Sequence, residues 1–369
     1  WHASTSWSQD LSKVVFTFDA RAGVPLRITK FISYHTSRMV PSIELVDRTT
    51  RTLDRAIRTG ADRLEASQRS FLDDAWSRAD IEVDGPPRVQ LAIRWNLFQL
   101  LQASARAETT GIPAKGLTGQ AYEGHYFWDT DIYVAPFLTY TEPRITRNLI
   151  RFRHSMLEAA RERAKEMSTR GALFPWRTIN GEEASSYYAA GTAQYHINAD
   201  IAFAIKRYVE VRGDEELLHE VGAEILVETA RMWTDLGFYG HRSTAYHIHG
   251  VTGPDEYTTV VNDNTFTNLM ARVNLQYAAE VVLRMQEKAP EAFQDLVHRT
   301  DLDLAEVEAW QHAAAAMYLP YDSELGIHPQ DANFLEKEVW DFAHTPRDKF
   351  PLLLHYHPLV IYRHQVIKQ

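Results

Sequence analysis

Beyond Gly85-Pro86-Pro87 the chain consists mainly of long stretches with apolar residues at helical spacing, and this constrains the fold more than any other feature. The stretches cover roughly residues 88–108, 143–166, 196–212, 214–236, 265–285 and 303–317. Their ends have a chemical reason: Gly213 and Gly237 stand where a helix stop favours a left-handed residue, and Asp214 can cap the helix that follows. An apolar stripe on each helix has to be buried against another helix, so a packed helical scaffold is expected. The connecting loops, rich in Gly, Trp, His, Asp and Glu, would then carry the chemistry on one rim.

Upstream the pattern changes. Residues 14–18 are β-rich, Gly23-Val24-Pro25 is turn chemistry, and Leu26, Ile28, Ile32 and Tyr34 recur at period two, which predicts two strands. From residue 43 to 80 Leu45, Leu53, Ile57, Leu64 and Phe71 sit among many Arg and Asp residues, as in helices with one solvated side. The chain therefore reads as the strand-bearing end of one domain at 1–37, a helical linker at 38–86, and a helical domain at 87–369.

The absence of cysteine removes disulfides, thiolate metal sites and a thiol nucleophile. With 39 Lys and Arg against 49 Asp and Glu, interspersed in sign, the chain offers no basic surface for nucleic acid. The most apolar helical stretch, residues 91–101, still carries Arg94, Asn96 and Gln99, so no membrane span is expected. Residues 1–10 lack the basic and apolar regions of a signal peptide, which favours a cytoplasmic location. Because the first residue is Trp1 rather than Met, the chain is expected to be part of a longer polypeptide.

Three loops could carry chemistry. The first, residues 116–131, contains three glycines and then His125-Tyr126-Phe127-Trp128-Asp129-Thr130-Asp131. Adjacent Trp128 and Asp129 offer an apolar face and a two-oxygen acceptor, which suits a sugar ring, although a buried Trp beside a helix-capping Asp fits equally well. The second loop runs through Gly171, Phe174, Pro175 and Trp176 to Gly181-Glu182-Glu183. The third, His247-Ile248-His249-Gly250-Val251-Thr252-Gly253-Pro254-Asp255-Glu256-Tyr257, presents adjacent carboxyls near an aromatic, a setting that can raise a carboxyl pKa as a general acid requires. His247 and His249 on one strand face, with Glu256 as a third ligand, could instead hold a metal; no further ligands at a matching spacing are evident, so no metal is expected. His355 and His357 are expected to bond locally. No nucleophile elbow, phosphate-binding Walker loop or dinucleotide fingerprint is present.

The loop ending in His125-Tyr126-Phe127-Trp128-Asp129-Thr130-Asp131, the Gly171 to Trp176 loop with Gly181-Glu182-Glu183, the helix start His196-Ile197-Asn198-Ala199-Asp200, and Gly250-Val251-Thr252-Gly253-Pro254-Asp255-Glu256-Tyr257 follow one another in the order found in glycoside hydrolase family 65. The chain resembles that family from about Val89 to Lys368-Gln369. The family contains inverting maltose, trehalose and kojibiose phosphorylases. The resemblance implies a mainly α fold: an (α/α)6 barrel, or six-hairpin toroid, preceded by a β-sandwich and a helical linker. Residues 14–36 would be the remnant of that sandwich, and 87–369 a barrel incomplete at its C-terminal end.

By the same resemblance Glu256 would be the general acid that protonates the glycosidic oxygen of an α-linked glucose disaccharide. Trp128 and Asp129 would hold the glucosyl ring, Lys368 and Gln369 would bind its hydroxyls, and Trp176, Glu183, His196 and Tyr257 would line the pocket. One protein acid suffices where inorganic phosphate is itself the nucleophile, giving β-glucose 1-phosphate; an inverting hydrolase needs a second carboxylate as base. No cofactor is implied besides phosphate as co-substrate, and a homodimer is expected by analogy. The readings set beside the phosphorylase are an acid trehalase-type hydrolase and a non-catalytic sugar-binding protein on the same barrel.

Overall fold

The computed structural model describes residues 1–37, 40–104, 110–116 and 121–368. They form two compact units, Trp1–Asp80 and Ile81–Gln369. In the first unit β1 (His2–Ser8) and β2 (Leu11–Thr17) pair as an antiparallel hairpin whose register, from His2↔Thr17 to Ser8↔Leu11, leaves Gln9-Asp10 as a two-residue turn. The expected strand at 14–18 largely falls within β2, whereas the one at 26–34 does not form. Alternation makes a strand only where a neighbour accepts its ladder, and β2 is paired with β1. The helices α1 (Leu45–Thr59) and α2 (Ala61–Ala79) meet at Gly60, whose φ of +81° is one that residues with a Cβ rarely adopt. They cluster with the hairpin, so the compact division falls after Asp80 rather than at the glycine-proline break.

The second unit is mainly helical. Helix α3 (Pro87–Ala103) opens on a proline, which is tolerated where an N–H would be unpaired anyway. Residues 105–108 of its expected length lie outside the described residues. A π-type turn at Thr130–Val134 leads into α4 (Ala135–Thr141), which the spacing had not indicated. The single helix expected at 143–166 is two, α5 (Pro143–Ser155) and α6 (Leu157–Glu166). The apolar spacing runs through the break because Met156 and Leu157 are both buried there.

After the single turn α7 (Ala189–Thr192) come α8 (Ile197–Arg212), the short α9 (Glu215–Leu217), a second π-type turn, and α10 (Ala223–Leu236). Gly213 closes α8 at φ +64°, and Asp214 Oδ1 accepts from the Leu217 N–H at 3.1 Å, as expected. Gly237 differs from expectation: its φ is −85°, and it is required because a Cβ there would come within 2.3 Å of the Tyr246 ring. Helix α11 (Thr265–Lys288) packs against α8, α10 and α13 (Leu304–Ala316), with α12 (Pro290–Thr300) between α11 and α13 in the chain. Their buried faces form one core that includes Phe174, Trp233, Leu275 and Trp310, where the Trp233 indole donates to Asn274 Oδ1 at 3.0 Å.

Two short pairings complete the unit. β3 (Phe238–Tyr239) lies antiparallel to β4 (Tyr246–His247), and β5 (Glu338–Val339) parallel to β6 (His364–Gln365). A satellite cluster joins Tyr257, Trp340, Leu352, Ile361 and Val366. It includes α14 (Pro358–Ile361), capped by His357, whose Nδ1 accepts from the Leu359 N–H at 3.2 Å. Among the described residues no helix is long and apolar enough to cross a membrane.

Candidate active site

Trp128 and Asp129 stand at the entry to the π-type turn, where the Asp131 N–H bonds back to the Trp128 carbonyl at 2.9 Å. Asp129 makes no side-chain capping bond among the described residues, and Trp128 is buried. Both residues instead line a cavity of about 800 Å³ together with Trp176, Glu256 and Lys368. Burial pushes the Asp129 carboxyl above its usual range; the charges of Asp131 and Glu256 add to this, while its own backbone N–H and Lys368 oppose it. Beneath them Asp131 pairs with Arg153 of α5 through both carboxylate oxygens, and the guanidinium lies 4.5 Å from the centroid of the Tyr126 ring. Arg153 and Asp131 are both buried, so this pair anchors the turn to α5.

Glu256 reaches the cavity because its loop is tied down at several points. Val251 pairs with Val261 across its base, the Thr252 N–H donates to Ala193 O at 2.9 Å, and the Gly253 N–H donates to Thr258 O at 3.2 Å. Gly253 has no room for a side chain, since a Cβ would lie 2.5 Å from Asn264 Nδ2. The neighbouring Asp255 holds backbone: its carboxylate accepts the Tyr257 N–H at 2.9 Å and the Lys368 N–H at 3.0 and 3.2 Å. Gln365 in β6 adds two bonds of 2.8 Å to the carbonyls of Leu335 and Lys337. Lys368 is thereby delivered to the cavity, where its ammonium bonds Glu256 Oε2 at 2.7 Å. Burial depresses the Lys368 ammonium, but the bond and charge of Glu256 outweigh it and leave its pKa raised.

Three residues expected to line the pocket stand behind it. His196 is fully buried, with Nδ1 2.6 Å from Asp200 Oδ2, and its ring meets Trp128 edge-on at 4.9 Å. Glu183 folds back on its own loop: its carboxylate accepts the Trp176 and Arg177 N–H groups at 2.8 and 3.1 Å and pairs with Arg163 at 3.2 Å. Tyr257 points into the satellite cluster, where its hydroxyl accepts the Leu353 N–H at 3.3 Å. Each is a residue of the right type held by partners that sequence spacing does not reveal. Gln369 lies outside the described residues, as do Leu117, Thr118, Gly119 and Gln120 of the first loop.

The structure also brings in residues that the sequence reading passed over, among them Lys115, Tyr133 and Gln194. Gln194 stands out chemically. Its Nε2 donates to Ala190 O at 2.7 Å, which fixes the amide orientation, and its buried Oε1 has no hydrogen-bond partner among the described residues. An unpaired buried acceptor is costly unless a ligand hydroxyl satisfies it. Position two before His196 was its only sequence signal. The assembled wall of aromatic faces, acceptors and one carboxylate–ammonium pair can stack a sugar ring, bind its hydroxyls and exchange a proton with an oxygen.

Comparison with known proteins agrees with this chemistry. Residues 94–369 match the glycosyl hydrolase family 65 central catalytic domain, and residues 2–75 match the N-terminal domain of the same family. An alpha,alpha-trehalose phosphorylase of Thermoanaerobacter brockii is 47% identical over all of this chain and 48% of its own length. Another from Geobacillus stearothermophilus is 48% identical over 90% of the chain and 45% of its own. A solved structure from the human microbiome, provisionally named a kojibiose phosphorylase, superposes with a TM-score of 0.82 at 31% identity, covering 89% of this chain and 43% of that one. The chain thus spans about half the length of the curated relatives it matches. With two domains of the same family matched in order along it, the chain belongs to glycosyl hydrolase family 65.

Proposed function

We propose that this chain carries the sugar-binding and proton-donating part of an inverting disaccharide phosphorylase, built on an (α/α)6 barrel. Its substrate would be an α-linked glucose disaccharide, with trehalose the first to test because the relatives at 47% and 48% identity are named for it. The observation that carries the reading is the placement of Glu256 in one cavity with Trp128, Asp129 and Lys368. In this mechanism Trp128 offers its face to the glucosyl ring, while Asp129 and Lys368 bind hydroxyls. Glu256, once protonated, donates to the glycosidic oxygen. Inorganic phosphate attacks the anomeric carbon from the opposite face, so configuration inverts, the C–O bond breaks, and β-glucose 1-phosphate and glucose leave. Acids near the ring favour the oxocarbenium-like transition state.

The test is turnover of α-linked glucose disaccharides by the full protein, with and without inorganic phosphate, reading β-glucose 1-phosphate and free glucose separately. Phosphate-dependent sugar phosphate is expected. Phosphate-independent release of two glucose molecules would make the protein a hydrolase, and binding without turnover would leave a sugar-binding protein.

A further inference from the structure

Away from the cavity lining, three ligand-type side chains converge. His247 ends β4 and His249 follows two residues on. His247 Nδ1 and His249 Nε2 lie 3.0 and 3.3 Å from the same atom, Asp263 Oδ2, and the three ligand atoms are all within 4.8 Å of one another. We propose that His247, His249 and Asp263 form a binding site for one divalent transition-metal ion of the zinc class. Two ligands held about 2.0–2.2 Å from a tetrahedral ion are about 3.3 Å apart, so the observed N···O spacings already match the edges of such a site.

The surroundings are those a metal site requires. Asp263 Oδ1 is occupied by the Ile248 N–H at 3.2 Å and the Asn268 amide at 3.0 Å, leaving Oδ2 to face the histidines. His247 Nε2 lies 3.2 Å from Ser243 Oγ, which sets the ring orientation and leaves Nδ1 as the ligand. Asp263 is buried at a left-handed φ of +48°, while the His249 side chain is 42% exposed, giving an entry path and an open position for water. Glu256, the third ligand considered from sequence, is instead engaged by Lys368. Residues 247–249 and 263 bracket the loop that carries Glu256, so the ion would clamp the base of that loop. The inference stands independently of the disaccharide reaction.

The experiment uses untagged full protein, treated with chelator and dialysed against Zn2+, with bound zinc measured by atomic absorption. About one zinc per chain is expected, with affinity reduced roughly tenfold or more in His249→Ala and in Ser243→Ala, the latter through ring orientation. At one zinc concentration the ion should also raise the unfolding temperature of the wild type by more than that of His249→Ala. Circular dichroism establishes that each variant is folded, His249 being exposed enough to replace. The proposal is overturned if the wild type retains no zinc, which would leave a hydrogen-bonded cluster, or if folded His249→Ala retains zinc equally.

Discussion

The ammonium of Lys368 lies 2.7 Å from Glu256 Oε2, so the carboxyl proposed as proton donor is ion-paired with the cation proposed to bind sugar hydroxyls. The two proposed roles therefore meet at one contact, and substitution of either residue tests them separately. Glu256→Gln should therefore lower turnover by about 10²–10⁴-fold while disaccharide binding, followed by calorimetry, persists. Lys368→Met should weaken binding as well as turnover; unchanged affinity in that variant would remove Lys368 from the sugar site.

Asp129 illustrates a trade between stability and function. Burial raises its carboxyl pKa, so the folded state favours the protonated form and ionisation at neutral pH opposes folding. Asp129→Asn is expected to raise the unfolding temperature at neutral pH and narrow its difference from that at acid pH, while activity falls by about 10²-fold or more. A variant that melts lower than the wild type at neutral pH would contradict this account.

Gln194, whose Oε1 has no partner among the described residues, makes a sharper prediction about recognition. Gln194→Met keeps the volume and loses both the acceptor and the amide bond to Ala190. Loss of a hydrogen bond to sugar corresponds to about 1 kcal/mol, roughly fivefold in affinity. The variant should therefore bind glucose and the intact disaccharide more weakly by similar factors, as measured by isothermal titration.

Breaking the buried pair under the site should be costly. Arg153→Leu leaves Asp131 buried without its partner and is expected to lose about 3–5 kcal/mol of stability in denaturant melts. Adding Asp131→Asn should recover part of that loss, because the uncompensated charge is gone. Equal stability of the single and double variants would mean that Arg153 acts through packing against Tyr126 and Phe174 alone.

Glu224 on α10 is expected to contribute to acid sensitivity. Burial alone would raise its carboxyl, but hydrogen bonds from His154 and Arg161 and the charges of His154 and Arg299 outweigh burial and hold it at about 2, against 4.5 unperturbed. A depressed folded pKa contributes stability that is present above pH 4.5 and lost progressively as the pH falls toward about 2. The unfolding temperature of the wild type should fall across that window, and Glu224→Gln should flatten the fall while lowering stability at neutral pH.

Helices were legible where local chemistry decides them. The stop at Gly213 and the cap by Asp214 depend on neighbours within one turn, and both form. The strand expected at 26–34 failed because pairing needs a partner elsewhere in the chain. Gly237 was expected for its backbone freedom and is required for the space it leaves to Tyr246. Among the site residues the sequence marked the chemical types, yet His196, Glu183 and Tyr257 are turned to Asp200, the Trp176 loop and Leu353.

What the sequence by itself determined is therefore the helical periodicity, the loops with chemical content and the family, since these are written in spacing and residue type. Only the tertiary structure decided that Lys368 meets Glu256 at a sequence separation of 112, and that Asp263 rather than Glu256 joins the two histidines. Such pairings follow from packing of distant segments, and a single chain read in order carries no measure of which distant residues packing will place within hydrogen-bond reach.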